Sequence, residues 1–243
     1  MSFPNESDIT VEAEPGRDTR RSVSRGARVV ILLGAGYSAL GLISGEHEDS
    51  SVLWFIEPLL VLGFVVLLWR RDRKPTLGRP EGRQGAFFFI AGSWLTGMLF
   101  ELSLRTGATG FGGMHPDTGM SFLLAQGFYV PFAAGGWWLA RRFGYGLEDV
   151  FWTGALSSLY EMLTLGATAL GGDPALLPLA PLLIGYYLMV YGLILAMPLL
   201  FIDERRLWRE SPRPISWRGK LLWGVGLGML CWVCFVGWAI VVD

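Results

Sequence analysis

Residues 85–104 read GAFFFIAGSWLTGMLFELSL, an apolar run of the length that a helix needs to cross a lipid bilayer. An α-helix rises about 1.5 Å per residue, so about 20 residues span the roughly 30 Å of hydrocarbon in a bilayer. The only charged residue of the run, Glu101, lies near its end. The stretch therefore predicts a transmembrane helix.

The composition extends this prediction to most of the chain. Of the 243 residues, 52% are hydrophobic and only 17% are charged, whereas soluble domains usually carry about 25% charged residues. Seven stretches of near membrane length fit without overlap: 28–44, 51–70, 85–104, 119–140, 149–170, 175–202 and 220–242. We therefore predict an all-α, polytopic bundle of seven transmembrane helices over residues 28–243, integral to the plasma membrane of a prokaryotic cell.

Residues 1–27 differ from the rest of the chain. They are polar, with acidic residues first and arginines later, and they contain no apolar period able to bury a face. This composition predicts a disordered cytoplasmic tail. An alternative is that the arginines and the apolar run after them form a cleaved signal peptide, with Arg20 and Arg21 as a twin-arginine signal.

The basic residues predict the orientation of the bundle. With seven spans, 19 of the 20 lysines and arginines fall on one side of the membrane, and only Arg105 falls on the other. Short loops rich in Lys and Arg stay in the cytoplasm. The N-terminus is therefore predicted to be cytoplasmic and the C-terminus external. We expect an aromatic belt at the cytoplasmic interface from Trp69, Trp137, Trp138, Trp152, Trp208, Trp217 and Trp223.

Three glutamates lie within the predicted spans. A charged side chain facing lipid costs about 2.5–3.5 kcal/mol, so the helix faces that carry Glu57, Glu101 and Glu161 should turn into the bundle and approach one region in its outer half, with Glu161 deepest. Pro58 follows Glu57 and predicts a kink. The face of Glu101 also carries Ser93, Gly97 and Arg105, and the face of Glu161 carries Gly154, Ser157 or Ser158, Thr164 and Thr168.

These residues support two interpretations. In the functional one, Glu101, Glu161 and Arg105 are catalytic, because buried carboxyls serve as general acids or proton carriers. Candidate binding residues are Glu57, His115, Asp117, Tyr187 and Tyr191, of which Tyr187 and Tyr191 share a helix face. In the structural interpretation, Glu101 pairs with Arg105 one turn away, and protonated Glu57 and Glu161 donate hydrogen bonds to neighbouring helices.

No metal site is expected. The turn Glu46, His47, Glu48, Asp49 contains possible ligands, but a solvated acidic turn is the favoured interpretation, and the chain has only two histidines. Cys231 and Cys234 are its only cysteines and are interpreted as small apolar residues, since a zinc site or a redox fold would need further features that are absent. The sequence identifies no cofactor.

Residues 99–113 (LFELSLRTGATGFGG) and 159–172 (LYEMLTLGATALGG) are similar, with one gap. Both predicted helices run outward, as a parallel internal repeat requires. Chance similarity in compositionally biased membrane sequence is the alternative. Glu101, followed by Thr106-Gly107 and Phe111-Gly112, also resembles a Glu…TG…FG stretch of membrane carotenoid hydratases. That resemblance is confined to residues 101–112 and assigns no role to any residue here.

The function expected from the sequence is a buried carboxylate site that binds or modifies a lipid-like or isoprenoid-like molecule. A proton-linked transporter of small solutes is an alternative, although the inner halves of the spans are too apolar and aromatic to favour it. A non-catalytic subunit of a membrane complex is another. The expected partners are the bilayer and either a lipid-like ligand or other membrane subunits; the net charge of −1 does not suggest nucleic acid.

The topology predicts which loops are accessible from outside the cell. A cysteine introduced in place of Thr76 or Arg209 should be protected from a membrane-impermeant thiol reagent, and one in place of Gly112 should be labelled. Labelling in intact cells, detected by a mass shift, makes this measurement. Labelling at position 209 would contradict the seven-span scheme.

Overall fold

The computed structural model describes residues 23–43, 55–71, 83–105, 118–163, 178–201 and 215–242. These residues form seven α-helices and no strand, which confirms the all-α prediction. The helices are α1 Arg25–Ile43, α2 Ile56–Arg71, α3 Arg83–Arg105, α4 Thr118–Phe143, α5 Leu147–Glu161, α6 Ala180–Ala196 and α7 Trp217–Val242. A π-helical turn at 162–163 extends α5, and a 3-10 turn, Met197–Leu200, extends α6.

Most helix bounds lie close to the predicted spans. The largest differences are at α2, which begins at Ile56 whereas the predicted span begins at residue 51, and at α5 and α6. Residues 164–170, expected in the fifth span, and residues 175–177, expected in the sixth, lie outside the described residues. Within the described residues, three segments are long and apolar enough to cross a membrane: Gln84–Ser103, Ala180–Leu200 and Trp217–Val242. The protein therefore has the features of a membrane protein.

Ring contacts and a hydrogen bond give the relative directions of α4, α5 and α7. Trp152 near the start of α5 packs against Trp217 at the start of α7, with ring centroids 5.1 Å apart. Trp138 near the end of α4 packs against Trp223 of α7 at 5.9 Å. Far along α7, the indole N–H of Trp238 donates to the Leu123 carbonyl near the start of α4, at 2.8 Å. Helices α4 and α7 are therefore antiparallel, and α5 and α7 are parallel.

One end of the bundle collects the basic side chains, and we call it the basic end. The start of α1 belongs to it, because Gly26 lies against Trp152. The end of α2 lies there as well. Glu57, at the start of α2, contacts Tyr186 in the first half of α6, and α2 also packs on the 3-10 turn that follows the end of α6. The described basic side chains at this end are Arg25, Arg28, Arg70, Arg141, Arg142, Arg218 and Lys220.

The short connection between α4 and α5 is fixed at the basic end. Gly144 has a φ of 60°, a left-handed backbone conformation that residues with a Cβ atom rarely adopt. The Asp149 carboxylate accepts a hydrogen bond from the Gly146 N–H at 3.2 Å and pairs with Lys220 at the start of α7. Burial raises the pKa of Tyr145 to about 12, and a hydrogen bond with Thr153 partly opposes this shift. These contacts hold the starts of α5 and α7 together.

Glycines let α5 pack closely between α6 and α7. A Cβ at Gly154 would overlap the Tyr191 carbonyl oxygen of α6, and one at Gly228 would overlap the Ser157 carbonyl oxygen of α5. A Cβ at Gly224 would lie 2.8 Å from Cβ of Leu156. Gly224 and Gly228, spaced four residues apart on one face of α7, therefore form a close helix contact with α5. In membranes the hydrophobic effect does not bring helices together, and close packing at such small residues contributes to helix association instead.

The outside of the bundle is apolar as well as the inside. On α7, Leu222, Val233, Ile240 and Val241 are 72%, 69%, 76% and 77% exposed. The interior holds fully buried aromatic rings, including Phe89, which packs against the predicted belt residue Trp137 at 5.5 Å. An apolar surface of this kind is what a helix facing lipid requires.

Replacement of Gly228 by alanine should destabilise the bundle, because the added methyl meets the backbone of α5. We expect the free energy of unfolding to fall by about 1–3 kcal/mol. The matched control is Gly226→Ala on the same helix, where an added Cβ meets nothing within 4 Å; it should leave stability unchanged or raise it by up to about 1 kcal/mol. Unfolding by SDS from mixed micelles measures both, and equal effects would contradict the close packing.

Candidate functional site

Two glutamate–tyrosine pairs each join a helix to the next helix along the chain. Glu101 near the end of α3 is only 3% exposed, and its Oε2 accepts a hydrogen bond from the hydroxyl of Tyr129 on α4 at 3.2 Å. Glu161 at the end of α5 accepts a hydrogen bond from the hydroxyl of Tyr191 on α6. In each pair the tyrosine comes from the helix that follows the glutamate along the chain.

The two pairs are neighbours. The ring of Phe128 contacts both tyrosines edge-on, with centroids 5.6 Å from Tyr129 and 5.7 Å from Tyr191. The carboxyls of Glu101 and Glu161 interact electrostatically with each other, and Tyr129 interacts with both. We call the four residues Glu101, Tyr129, Glu161 and Tyr191 the central cluster. Four helices, α3 to α6, each contribute one of them.

On each of α3 and α5, a glycine lies before the glutamate and leaves room for the helix that carries the partner tyrosine to pack closely. The ring of Tyr129 lies against Gly97, where an added Cβ would be 2.8 Å from Cε1 and 3.1 Å from Cγ. Gly97 is one turn before Glu101, so the ring lies along α3 and its hydroxyl reaches the carboxyl. On α5, Gly154 admits the backbone of Tyr191 two turns before Glu161. These contacts explain why both tyrosines meet their glutamates.

The predicted inward faces of α3 and α5 are largely confirmed. Ser93, Gly97 and Glu101 are all buried on α3, and Gly154, Ser157 and Ser158 are buried on α5. Glu161 is partly buried, whereas Glu101 and Glu57 are buried. It is the last α-helical residue of α5, directly before the π-helical turn, a feature that is frequent at functional sites. Its expected place as the deepest of the three carboxyls in the membrane stays a prediction.

Glu57 belongs to a second group beside the central cluster. It accepts hydrogen bonds from the hydroxyls of Ser38 on α1 and of Tyr186 on α6, the latter at 3.1 Å. The ring of Tyr37 packs on Tyr186 at 5.0 Å. The kink expected at Pro58 is wrong: α2 begins at Ile56, so the proline lies in the first turn, where it removes no intrahelical hydrogen bond.

Tyr187 connects the two groups. It is buried, its ring lies 6.1 Å from that of Tyr186, and it interacts electrostatically with both Glu161 and Tyr37. The three carboxyls therefore approach one region of the bundle, as expected, but as two adjacent groups. In both groups every described carboxyl accepts a hydrogen bond from at least one tyrosine.

Several expected site residues are not placed. His115 and Asp117 lie outside the described residues, as do Glu46 to Asp49, Thr164 and Thr168. Arg105 ends α3, but its side chain is also outside them. The predicted pairing of Glu101 with Arg105, and the gathering of Arg105, His115 and Asp117 at the mouth of the site, therefore stay predictions.

The sequence interpretation missed Tyr129, Tyr186 and Ser38 as partners of the carboxyls. Glu101 lies about 6 Å before the end of α3 and Tyr129 about 16 Å after the start of α4, so the antiparallel direction of the two helices does not by itself set them at the same depth. The register of the hairpin, however, depends on the connection between the helices. Sequence periodicity alone does not give it.

The remaining buried hydroxyls mostly bond within their own helices. Thr96, Thr153, Ser157 and Ser158 each donate to a carbonyl three or four residues earlier. Such bonds satisfy the hydroxyls locally and do not join them to the carboxyls. Among the described residues, no group of three or more His, Cys, Asp or Glu side chains could hold a metal ion.

Comparison with protein-family models gives no match, and comparison with curated proteins and with solved structures gives no significant similarity. The geometry of the central cluster is thus the basis for assigning a function.

Replacement of Glu161 by leucine should leave the Tyr191 hydroxyl without its acceptor. We expect a loss of about 1–3 kcal/mol in the free energy of unfolding, measured by SDS unfolding. Tyr191→Phe in the Glu161→Leu background should recover part of that loss, because it removes the stranded hydroxyl. Glu161→Gln should unfold like the native protein, since the amide also accepts a hydrogen bond. Strictly additive losses in the double variant would contradict the pairing.

Proposed function

We propose that the protein spans the membrane seven times, with the basic end in the cytoplasm, and that the central cluster binds or modifies a lipid-like or isoprenoid-like molecule. Four described arginines support the orientation, because short basic connections are retained in the cytoplasm. They are Arg70 at the end of α2, Arg141 and Arg142 at the end of α4, and Arg218 in the first turn of α7. The proposed roles follow the cluster: Glu101 and Glu161 supply and accept protons, and Arg105 is proposed to bind an anion or polar group at the mouth.

The observation that carries this proposal is the pairing of two interacting carboxyls with tyrosines inside an apolar, aromatic bundle. Phe128 and Phe132 flank Tyr191, with ring centroids at 5.7 Å and 5.6 Å. Aromatic walls suit an apolar ligand body, and a few convergent polar groups orient its functional group. A carboxyl in such surroundings is a suitable general acid or base, because no bulk water competes for its proton.

A proton-linked transporter is less well supported. It requires a polar path from the carboxyls to the basic end, but that part of the interior is filled by buried apolar side chains, among them Phe89, Phe151, Leu139 and Leu195. The hydroxyls of Thr153 and Ser157 there are satisfied by their own helix. A non-catalytic subunit would instead use the exposed face of α7 for a protein partner.

Lipids that copurify with gently solubilised protein test the proposal. Mass spectrometry of a solvent extract should find one lipid-like molecule at close to one per chain with the native protein. Glu161→Gln should keep the protein folded but lower retention at least about tenfold, equivalent to about 1.4 kcal/mol of binding free energy. The matched control is Glu148→Gln, the same chemical change at the other end of α5, and it should retain the molecule.

Equal retention by native protein and Glu161→Gln would remove Glu161 from the site. Absence of any retained lipid, together with a stoichiometric protein partner in the same preparation, would replace the proposal with that of a non-catalytic subunit.

A further inference from the structure

The starts of α1, α5 and α7 meet at the basic end. A Cβ added at Gly26 of α1 would lie 3.3 Å from Cζ2 of Trp152 on α5. The ring of Trp152 also packs edge-to-face against that of Trp217, the first residue of α7, with centroids 5.1 Å apart. Two indole rings therefore join the first turns of three helices.

Three arginines lie beside these rings in the chain. Arg25 directly precedes Gly26, Arg28 follows it by two positions, and Arg218 directly follows Trp217. All three arginines are exposed, and in the described part of the chain none of them forms an ion pair. We call the following five residues the arginine–tryptophan patch: Arg25, Arg28, Trp152, Trp217 and Arg218.

The patch has an excess of positive charge. The first turns of α1 and α7 contain no acidic residue, and the first turn of α5 contains two, Glu148 and Asp149. Asp149 is already paired with Lys220. Within these three first turns, Glu148 is thus the only carboxylate left to offset three arginines, and the surface is complementary to an anion.

The positions of the arginines within their helices point the same way. Arg25 and Arg28 are the first and fourth residues of α1, and Arg218 is the second residue of α7. The helix dipole places partial positive charge at the start of a helix, where a cationic side chain is unfavourable and an anion is favourable. A bound anion would therefore relieve repulsion at the starts of both helices.

Serine caps hold both of these first turns in place. The hydroxyl oxygen of Ser24 accepts a hydrogen bond from the Ala27 N–H at 3.3 Å. At the start of α7, the hydroxyl oxygen of Ser216 accepts one from the Gly219 N–H, also at 3.3 Å. The backbone that carries the arginines is therefore ordered without a ligand, which lowers the entropic cost of binding one.

An apolar surface begins directly beyond the patch. Exposed Val29 and Leu32 follow the arginines on α1, and exposed Leu221 and Leu222 follow Arg218 on α7. Helix α7 is long and apolar enough to cross a membrane. The patch therefore lies where a charged surface meets an apolar one, and the matching ligand has an anionic group attached to apolar chains.

We propose that the arginine–tryptophan patch binds the headgroup of an anionic phospholipid, with the acyl chains on the apolar surface beyond it. Arginine guanidinium groups bind phosphate oxygens through paired hydrogen bonds, and tryptophan rings favour the headgroup level of a bilayer. The patch shares no residue with the central cluster, so this site goes beyond the function proposed for that cluster and does not rest on it.

Native mass spectrometry in a nonionic detergent measures how many phospholipids bind per chain and how tightly. Dioleoylphosphatidylglycerol, which is anionic, should bind native protein at least about tenfold more tightly than zwitterionic dioleoylphosphatidylcholine. Each arginine near an anionic headgroup contributes about fivefold in affinity, so Arg25→Gln with Arg218→Gln should weaken binding of the phosphatidylglycerol at least about tenfold.

The matched control is Arg70→Gln with Arg141→Gln, which removes the same charge at the ends of α2 and α4. It should change binding of phosphatidylglycerol less than about threefold, because these arginines lie outside the patch. Glu161→Gln, which tests the central cluster, should bind phosphatidylglycerol like the native protein. Failure of the proposed function and failure of the patch are therefore separate results.

Thermal unfolding in the same detergent is a second measurement. Without phospholipid, the variant Arg25→Gln with Arg218→Gln should unfold at a temperature no lower than the native protein, because it removes charge that the helix dipole disfavours. Phosphatidylglycerol should raise the unfolding temperature of the native protein and of the control, but not that of this variant.

Four results would overturn the proposal. Equal affinity for the two phospholipids would exclude an anionic headgroup as the ligand. Equal losses from the two pairs of substitutions would show general attraction to the basic end rather than a site at the patch. Displacement of phosphatidylglycerol by millimolar inorganic phosphate would replace the lipid with a free anion. A lower unfolding temperature of the patch variant without phospholipid would show that these arginines stabilise the fold itself.

Discussion

The hydrogen bonds from tyrosine hydroxyls to buried carboxyls are the constraint on which the arrangement of the helices depends. A carboxyl inside an apolar bundle is costly unless a partner satisfies it, and here each of Glu57, Glu101 and Glu161 has at least one tyrosine from another helix. Because these three bonds join α2 to α6, α3 to α4 and α5 to α6, they fix which faces of five helices look inward.

Small residues make those bonds geometrically possible. Tyr129 reaches Glu101 only because Gly97 leaves room for its ring, and α6 approaches α5 at Gly154. On the other side of α5, Gly224 and Gly228 admit the backbone of that helix. Lipid tails are as apolar as the side chains of a helix, so burial of apolar surface does not drive helices together in a membrane. Close backbone contacts and interior hydrogen bonds then determine which helices associate.

The polar chemistry of the molecule is divided between its two ends. At the basic end, exposed arginines and the ion pair of Lys220 with Asp149 lie beside packed tryptophans. The buried carboxyls lie away from that end, on the far parts of α3 and α5 and at the start of α2. The described basic side chains are therefore separated from the buried carboxyls along the length of the bundle.

The sequence by itself determined the class of fold, the approximate helix bounds and the inward direction of Glu101 and Gly97, because apolar run length and helical periodicity are local properties. It misjudged Pro58, since the place of that residue within α2 depends on where the helix begins in a run of uniform hydropathy. Only the tertiary structure decided that Tyr129, Tyr186 and Ser38 are the partners of the carboxyls and that two glutamate–tyrosine pairs meet at Phe128. Those contacts depend on the register between helices, which short glycine contacts set and which no periodicity within one helix encodes.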